Sequence, residues 1–219
     1  MASDDLHRGQ PIITAGTPLE RATSAMVMLH GRGASASDIL SLAVEFGEPD
    51  LAYLAPQAAG FTWYPSRFSA PVESNEPWLT SALGVVADVL SLIATAGIPV
   101  ERTLLLGFSQ GACLTLEYVA RSPKPYGGVI GLSGALIENG DERRQYSGTL
   151  RKTPVFLGCS TTDPHVPRER VEQSAEVFRD LGAEVTLRLY PNMDHTVNLD
   201  EIQFVKSMSA NIQALPEDS

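Results

Sequence analysis

The sequence predicts an α/β protein, with a central, mostly parallel sheet and helices on both of its faces. Three observations carry that expectation. Short apolar runs alternate with helical patterns along the chain, the order from which parallel sheets are built. Several of these runs are continuously apolar rather than alternating, as strands covered on both faces are. The 219 residues suffice for one such domain with a full core and are too few for two comfortable ones.

Residues 1–10 are polar and expected to form a flexible N-terminal tail, leaving one domain over 11–215. The stretch from Ala25 to His30 reads as a compact strand. A helix follows, capped by Ser35 or Ser37, with Ile39, Leu40, Ala43 and Phe46 facing inward. Leu51 to Ala55 is the next strand. A long helix is expected from about Pro77 to Ala96, with Leu79, Leu83, Val86, Leu90 and Ile93 at helical spacing. Gly97 closes it, and Pro99 lies just beyond. Thr103 to Phe108 reads as a buried strand, followed at once by a small-residue helical pattern. A strand from Gly128 to Leu132 comes next, and then a loop rich in Gly, Asn and Arg. A strand from Val155 to Gly158 leads to a helix opened by Pro167. From Val185 to Tyr190 the pattern alternates, with Val185, Leu187 and Leu189 on one face. A last helix starts near Asn198, which with Glu201 resembles a capping box.

The most informative segment is Gly107-Phe108-Ser109-Gln110-Gly111. A bare Gly-x-Ser-x-Gly is a weak signal, since glycine-rich loops carry ordinary serines. Here an apolar strand precedes it and a helix follows, the layout of a nucleophile elbow. The two glycines suit a corner too tight for a Cβ at either position. The Gln110 amide opens the helix and points at the place where negative charge would develop. The chemistry implied is acyl transfer to water through a serine ester, which requires no metal or organic cofactor.

A serine hydroxyl needs a base to take its proton, usually a histidine oriented by a carboxylate. Of the four histidines, His7 sits in the expected tail and His30 precedes the serine. His165 is two residues from the best acid candidate, too close to swing across a site. His195, in the loop after the last strand, is the expected base. Asp163 is the expected acid, in a loop stiffened by Pro164 and Pro167. Asp194 adjoins His195 too closely to orient it, and Asp200 falls inside the last helix. The loop Leu29-His30-Gly31-Arg32-Gly33 can turn its amides inward. The Arg32 amide is therefore expected as the second oxyanion donor beside that of Gln110.

Bulk properties exclude other classes. The formal charge of −10 argues against nucleic acid and anionic membrane surfaces as partners. No apolar run approaches the roughly 20 residues that span a bilayer, and the N-terminus lacks a basic opening and an apolar core. A cytoplasmic location is expected. Cys113 and Cys159 make no disulfide framework and read as small buried apolar residues.

With these residues in hand, the sequence resembles the phospholipase/carboxylesterase family of α/β-hydrolases, a group that includes acyl-protein thioesterases and small bacterial esterases. The resemblance spans nearly the whole chain. It rests on Leu29-His30-Gly31-Arg32-Gly33, Ala55-Pro56-Gln57, Trp63-Tyr64, Gly107-Phe108-Ser109-Gln110-Gly111, Leu132-Ser133-Gly134, Asp163-Pro164-His165-Val166-Pro167 and Met193-Asp194-His195-Thr196. It implies an α/β-hydrolase fold without a large cap domain, in which Ser109 is the nucleophile, Asp163 the acid and His195 the base. Arg32 and Gln110 amides form the oxyanion hole. Asp194 departs from relatives that often carry glycine before the histidine.

The expected partner is a small-molecule ester, and the resemblance also allows a homodimer. Aromatics between Pro56 and Trp78 either line an acyl pocket or fasten the loop to the body. Trp63, Phe68 and Trp78 are the expected substrate contacts. Short-chain carboxylic esters are the expected substrates. The alternatives are a thioesterase or lysophospholipase acting on longer acyl chains, or a non-catalytic ligand-binding member of the fold.

Overall fold

Seven strands form one sheet in the computed structural model of the chain, which describes residues 5–137 and 145–214. They are β1 (Ile12–Gly16), β2 (Ser24–Leu29), β3 (Leu51–Pro56), β4 (Thr103–Phe108), β5 (Gly128–Leu132), β6 (Pro154–Ser160) and β7 (Glu184–Tyr190). Their order across the sheet is β1-β3-β2-β4-β5-β6-β7. All pairings are parallel except β1 with β3. The helices are α1 (Ala36–Leu40), α2 (Ala43–Phe46), α3 (Trp78–Thr95), α4 (Gln110–Arg121), α5 (Arg168–Asp180) and α6 (Leu199–Gln213).

The period of the strands sorts their side chains to two faces. Along β2, Ala25, Val27 and Leu29 enter one core with residues of α3, α4 and α5. Met26 and Met28 enter a second core with residues of α1, α2 and α6. Both faces are thus covered, which is why these strands are nearly uninterrupted in apolar residues.

Three expectations need correction. The single helix after β2 is two short ones. Ser35 caps α1 with a reciprocal box to Asp38, and Ser41 ends it within five residues. Strand β1 was not foreseen, because it pairs only with β3 at the sheet edge and its Ile12 and Ile13 remain exposed. The expectation of a flexible tail over residues 1–10 fails at His7, which is 1% exposed. Its backbone amide donates to Ser81 Oγ at 2.9 Å, its Nε2 bonds Trp63 O at 2.9 Å and its Nδ1 accepts from the Ala59 amide at 3.0 Å. Burial holds the imidazole below its ordinary pKa, so it sits there neutral.

Helix α3 is 18 residues long and apolar enough, by length and composition, to cross a membrane. In the fold its Leu79, Ala82, Val86, Val89 and Ile93 stripe is buried in the first core. The Gly-, Asn- and Arg-rich loop expected after β5 falls largely on residues 138–144, outside the described residues.

The topology positions a site. The chain passes from β2 outward to β3, then returns to β4 on the other side of β2. Open α/β sheets bind ligands beside such a switch, at the carboxyl ends of the strands. The loops leaving β2, β4, β6 and β7 carry Arg32, Ser109, Asp163 and His195.

Candidate active site

Ser109 links β4 to α4 with φ 54° and ψ −119°, a strained conformation for a residue with a side chain. Its amide donates to Leu132 O at 2.9 Å and its carbonyl accepts from the Cys113 amide at 3.0 Å, so the surroundings hold the strain in place. The flanking glycines are steric necessities. A Cβ on Gly107 would run into the backbone of Gly111, and one on Gly111 would run into the carbonyl of Leu29. Strand, corner and helix therefore approach more closely than any other residue allows.

The three expected side chains meet. His195 Nε2 lies 2.8 Å from Ser109 Oγ, and His195 Nδ1 lies 2.7 Å from Asp163 Oδ2. A neutral imidazole suits both contacts, donating from Nδ1 to the carboxylate and accepting the serine hydroxyl at Nε2. Asp163 is fixed from its other oxygen, where Oδ1 accepts the amides of His165 at 2.8 Å and Val166 at 3.0 Å. Burial opposes its charge. The bonds from His195 and those two amides outweigh burial, and the carboxyl is held below its ordinary range. The aspartate therefore stays ionised and can stabilise an imidazolium.

The loop that carries the base is anchored on both sides. Ser160 Oγ donates to Met193 O, and Asn198 caps α6 through a reciprocal box with Glu201 just beyond the histidine. The rings of Phe108 and His165 flank the imidazole, with centroids 5.1 Å and 4.8 Å away. The rejected candidates lie elsewhere. Asp194 is exposed. Asp200 bonds Arg188 at 2.7 Å and the Tyr190 hydroxyl at 2.6 Å.

The expected oxyanion donors adjoin the serine. The Gln110 amide opens α4, where the helix offers an N–H no internal partner. The β2 loop packs close, because a Cβ on Gly31 would stand 3.4 Å from Ser109 Cβ. In that loop Gly33 N donates to Phe61 O and Ala34 N to Gly31 O; no such bond uses the Arg32 amide among the described residues. The Arg32 side chain is separately employed, donating to the carbonyls of Pro65 (2.9 Å), Tyr64 (2.9 Å) and Ser66 (2.6 Å).

A cleft of about 430 Å³ opens over the serine, lined by Arg32, Tyr64, Arg67, Phe68, Ser109, Gln110, Cys113, His165, Val166 and His195. Phe68 lines it as expected. Trp63 and Trp78 do not. Trp63 is fully buried, donates its indole N–H to His30 O at 2.9 Å, and lies between the rings of His7 and His30. Trp78 packs edge-on against His7. Trp63 fastens the loop to the body, and Trp78 packs the start of α3 against the N-terminal segment.

Tyr64, Arg67, Cys113, His165 and Val166 line the cleft without having been singled out as substrate contacts. The signal for Cys113 lay in its spacing, four residues after Ser109 and so on the same face of α4. Gln110 has a second task that the motif does not reveal. Its Oε1 accepts the Trp63 amide at 2.9 Å and its Nε2 donates to Tyr64 O at 2.8 Å, tying the aromatic loop to the elbow. Among the described residues, no group of three or more His, Cys, Asp or Glu is placed to hold a metal ion.

The sheet topology, together with a Ser–His–Asp relay at its carboxyl edge, defines the class as an α/β-hydrolase. The chain belongs to the Phospholipase/Carboxylesterase family, whose profile matches residues 12–212. It is similar to a phospholipase/carboxylesterase from Dyadobacter fermentans DSM 18053, with 45% identity and a TM-score of 0.87 over 94% of this chain and 97% of that one. Acyl-protein thioesterase 1 of Gibberella zeae is 35% identical over 113 residues, 49% of this chain; the match spans about half (48%) of the thioesterase. Acyl-protein thioesterase 1 of Emericella nidulans is 27% identical over 212 residues, 84% of this chain and 88% of that protein.

Proposed function

We propose that this protein is a serine carboxylesterase that hydrolyses short-chain carboxylic esters through an acyl-enzyme intermediate. The observation that carries the proposal is the unbroken hydrogen-bond path from Asp163 through His195 to the hydroxyl of a serine on a strained elbow. Ser109 Oγ attacks the ester carbonyl while His195 Nε2 takes its proton, and Asp163 stabilises the imidazolium formed. The Arg32 and Gln110 amides hold the tetrahedral oxyanion. His195 then protonates the leaving alkoxide. Water, deprotonated by the same imidazole, attacks the acyl-serine and releases the acid.

The size of the cleft supports the short-chain reading. At about 430 Å³ it stands toward the small end of ligand sites, which run from roughly 300 to 1,000 Å³. The test is a series of 4-nitrophenyl esters from acetate to palmitate. Highest kcat/KM among the shortest acyl groups, falling at least about tenfold by palmitate, is the expected result; each tenfold step corresponds to about 1.4 kcal/mol. A second reading is action on longer acyl chains as a thioesterase or lysophospholipase; the names of the acyl-protein thioesterase relatives favour thioester hydrolysis, and highest activity on palmitoyl substrates would select the longer chains.

A further inference from the structure

The charge of the cleft runs against that of the molecule. The chain carries 26 acidic and 16 basic residues, for a formal charge of −10. Yet Arg32 and Arg67 line the cleft over Ser109, and among the described residues no carboxylate does. Arg67 is exposed, and its side chain has no ion pair or hydrogen bond among the described residues. Arg32 spends its donors on three carbonyls, which are neutral, so its charge is left uncancelled.

The backbone beneath Arg67 is built to hold it. Asn75, fully buried, accepts the Ser66 amide at 2.8 Å and donates to the Arg67 carbonyl at 3.2 Å. Arg32 anchors the carbonyls of Tyr64, Pro65 and Ser66 just before it. The backbone that carries Arg67 is held this way, and its guanidinium is a planar fork that matches a carboxylate or phosphate. A positive cleft in a negative protein also draws anions locally.

Resting on the esterase reading above, we propose that the natural substrates are esters bearing a second, anionic group, a carboxylate or a phosphate, which Arg67 engages with the charge of Arg32 behind it. The reaction itself is unchanged. The anion selects the substrate and orients the ester over Ser109.

Two matched pairs test this: 4-nitrophenyl hemiadipate against 4-nitrophenyl hexanoate, and 1-butyryl-glycerol 3-phosphate against monobutyrin. The readout is the ratio of kcat/KM, anionic over neutral. A ratio of about ten in at least one pair is expected at low salt, shrinking toward unity at about 0.5 M salt. The pair that shows it distinguishes a carboxylate from a phosphate. Arg67→Gln should collapse the ratio toward one, and Arg67→Glu should invert it. No preference for the anionic ester in either pair, or a preference that survives Arg67→Gln, overturns the proposal. Failure of the wild-type protein to hydrolyse any of the four overturns the esterase reading instead.

Discussion

Asp163 shows how much one side chain is asked to do. One oxygen is bonded by two backbone amides and the other by the imidazole, so the carboxylate acts as a fixed acceptor rather than a mobile charge. Asparagine at this position retains the size but presents only one acceptor oxygen. Either the amide contacts or the contact with His195 must then face an NH₂ group, and the imidazole turns to the wrong tautomer. Asp163→Asn should therefore lower kcat by about 10³- to 10⁴-fold with little change in KM, checked by steady-state ester hydrolysis. The grouping of Ser109, Asp163 and His195 was legible in sequence because the chemistry demands particular residue types in a particular order. The aromatic contacts were not. Whether Trp63 faces solvent or the body depends on His7, His30 and Gln110, which lie 56, 33 and 47 residues away. Nothing local to an aromatic loop encodes that.

Among the elements, α6 carries a tension that its sequence pattern hides. Asn198 and Glu201 form the expected capping box, and Glu201 Oε2 accepts the Asn198 amide at 2.9 Å. The rest of that carboxyl is fully buried against Gly158, where Oε1 has no hydrogen-bond partner, and burial pushes its pKa up to about 7. A raised carboxyl costs nothing below its unfolded value near 4.5, where both states are protonated. As pH rises to about 7, the unfolded chain ionises and the folded one does not, so folding stability declines by about 3 kcal/mol. Glu201→Gln keeps the cap acceptor and cannot ionise. Its stability relative to wild type should climb between pH 4.5 and 7 and level off above, as read from urea unfolding midpoints. The capping box was readable from Asn198 and Glu201 alone; burial of the carboxylate against β6 was not, since it depends on tertiary packing. The edge strand β1 escaped for a related reason, its exposed isoleucines giving no buried apolar run.

For the molecule as a whole, the alternation of strands and helices made a parallel, two-faced sheet legible almost throughout. The parallel core of the sheet places the loops after β2, β4, β6 and β7 at one edge, so residues far apart in the chain converge there. What remained hidden was contact between surfaces distant in sequence: the docking of His7, the sealing of Trp63, and the gathering of Arg32 and Arg67 over the serine. The central claim is that this convergence makes one serine hydroxyl reactive among all the hydroxyls of the chain. The most direct test is to treat the native protein with a fluorophosphonate and map the adduct by peptide mass spectrometry. A single stoichiometric adduct on Ser109 is the expected result, whereas an unmodified Ser109 or an adduct on another residue would contradict the account.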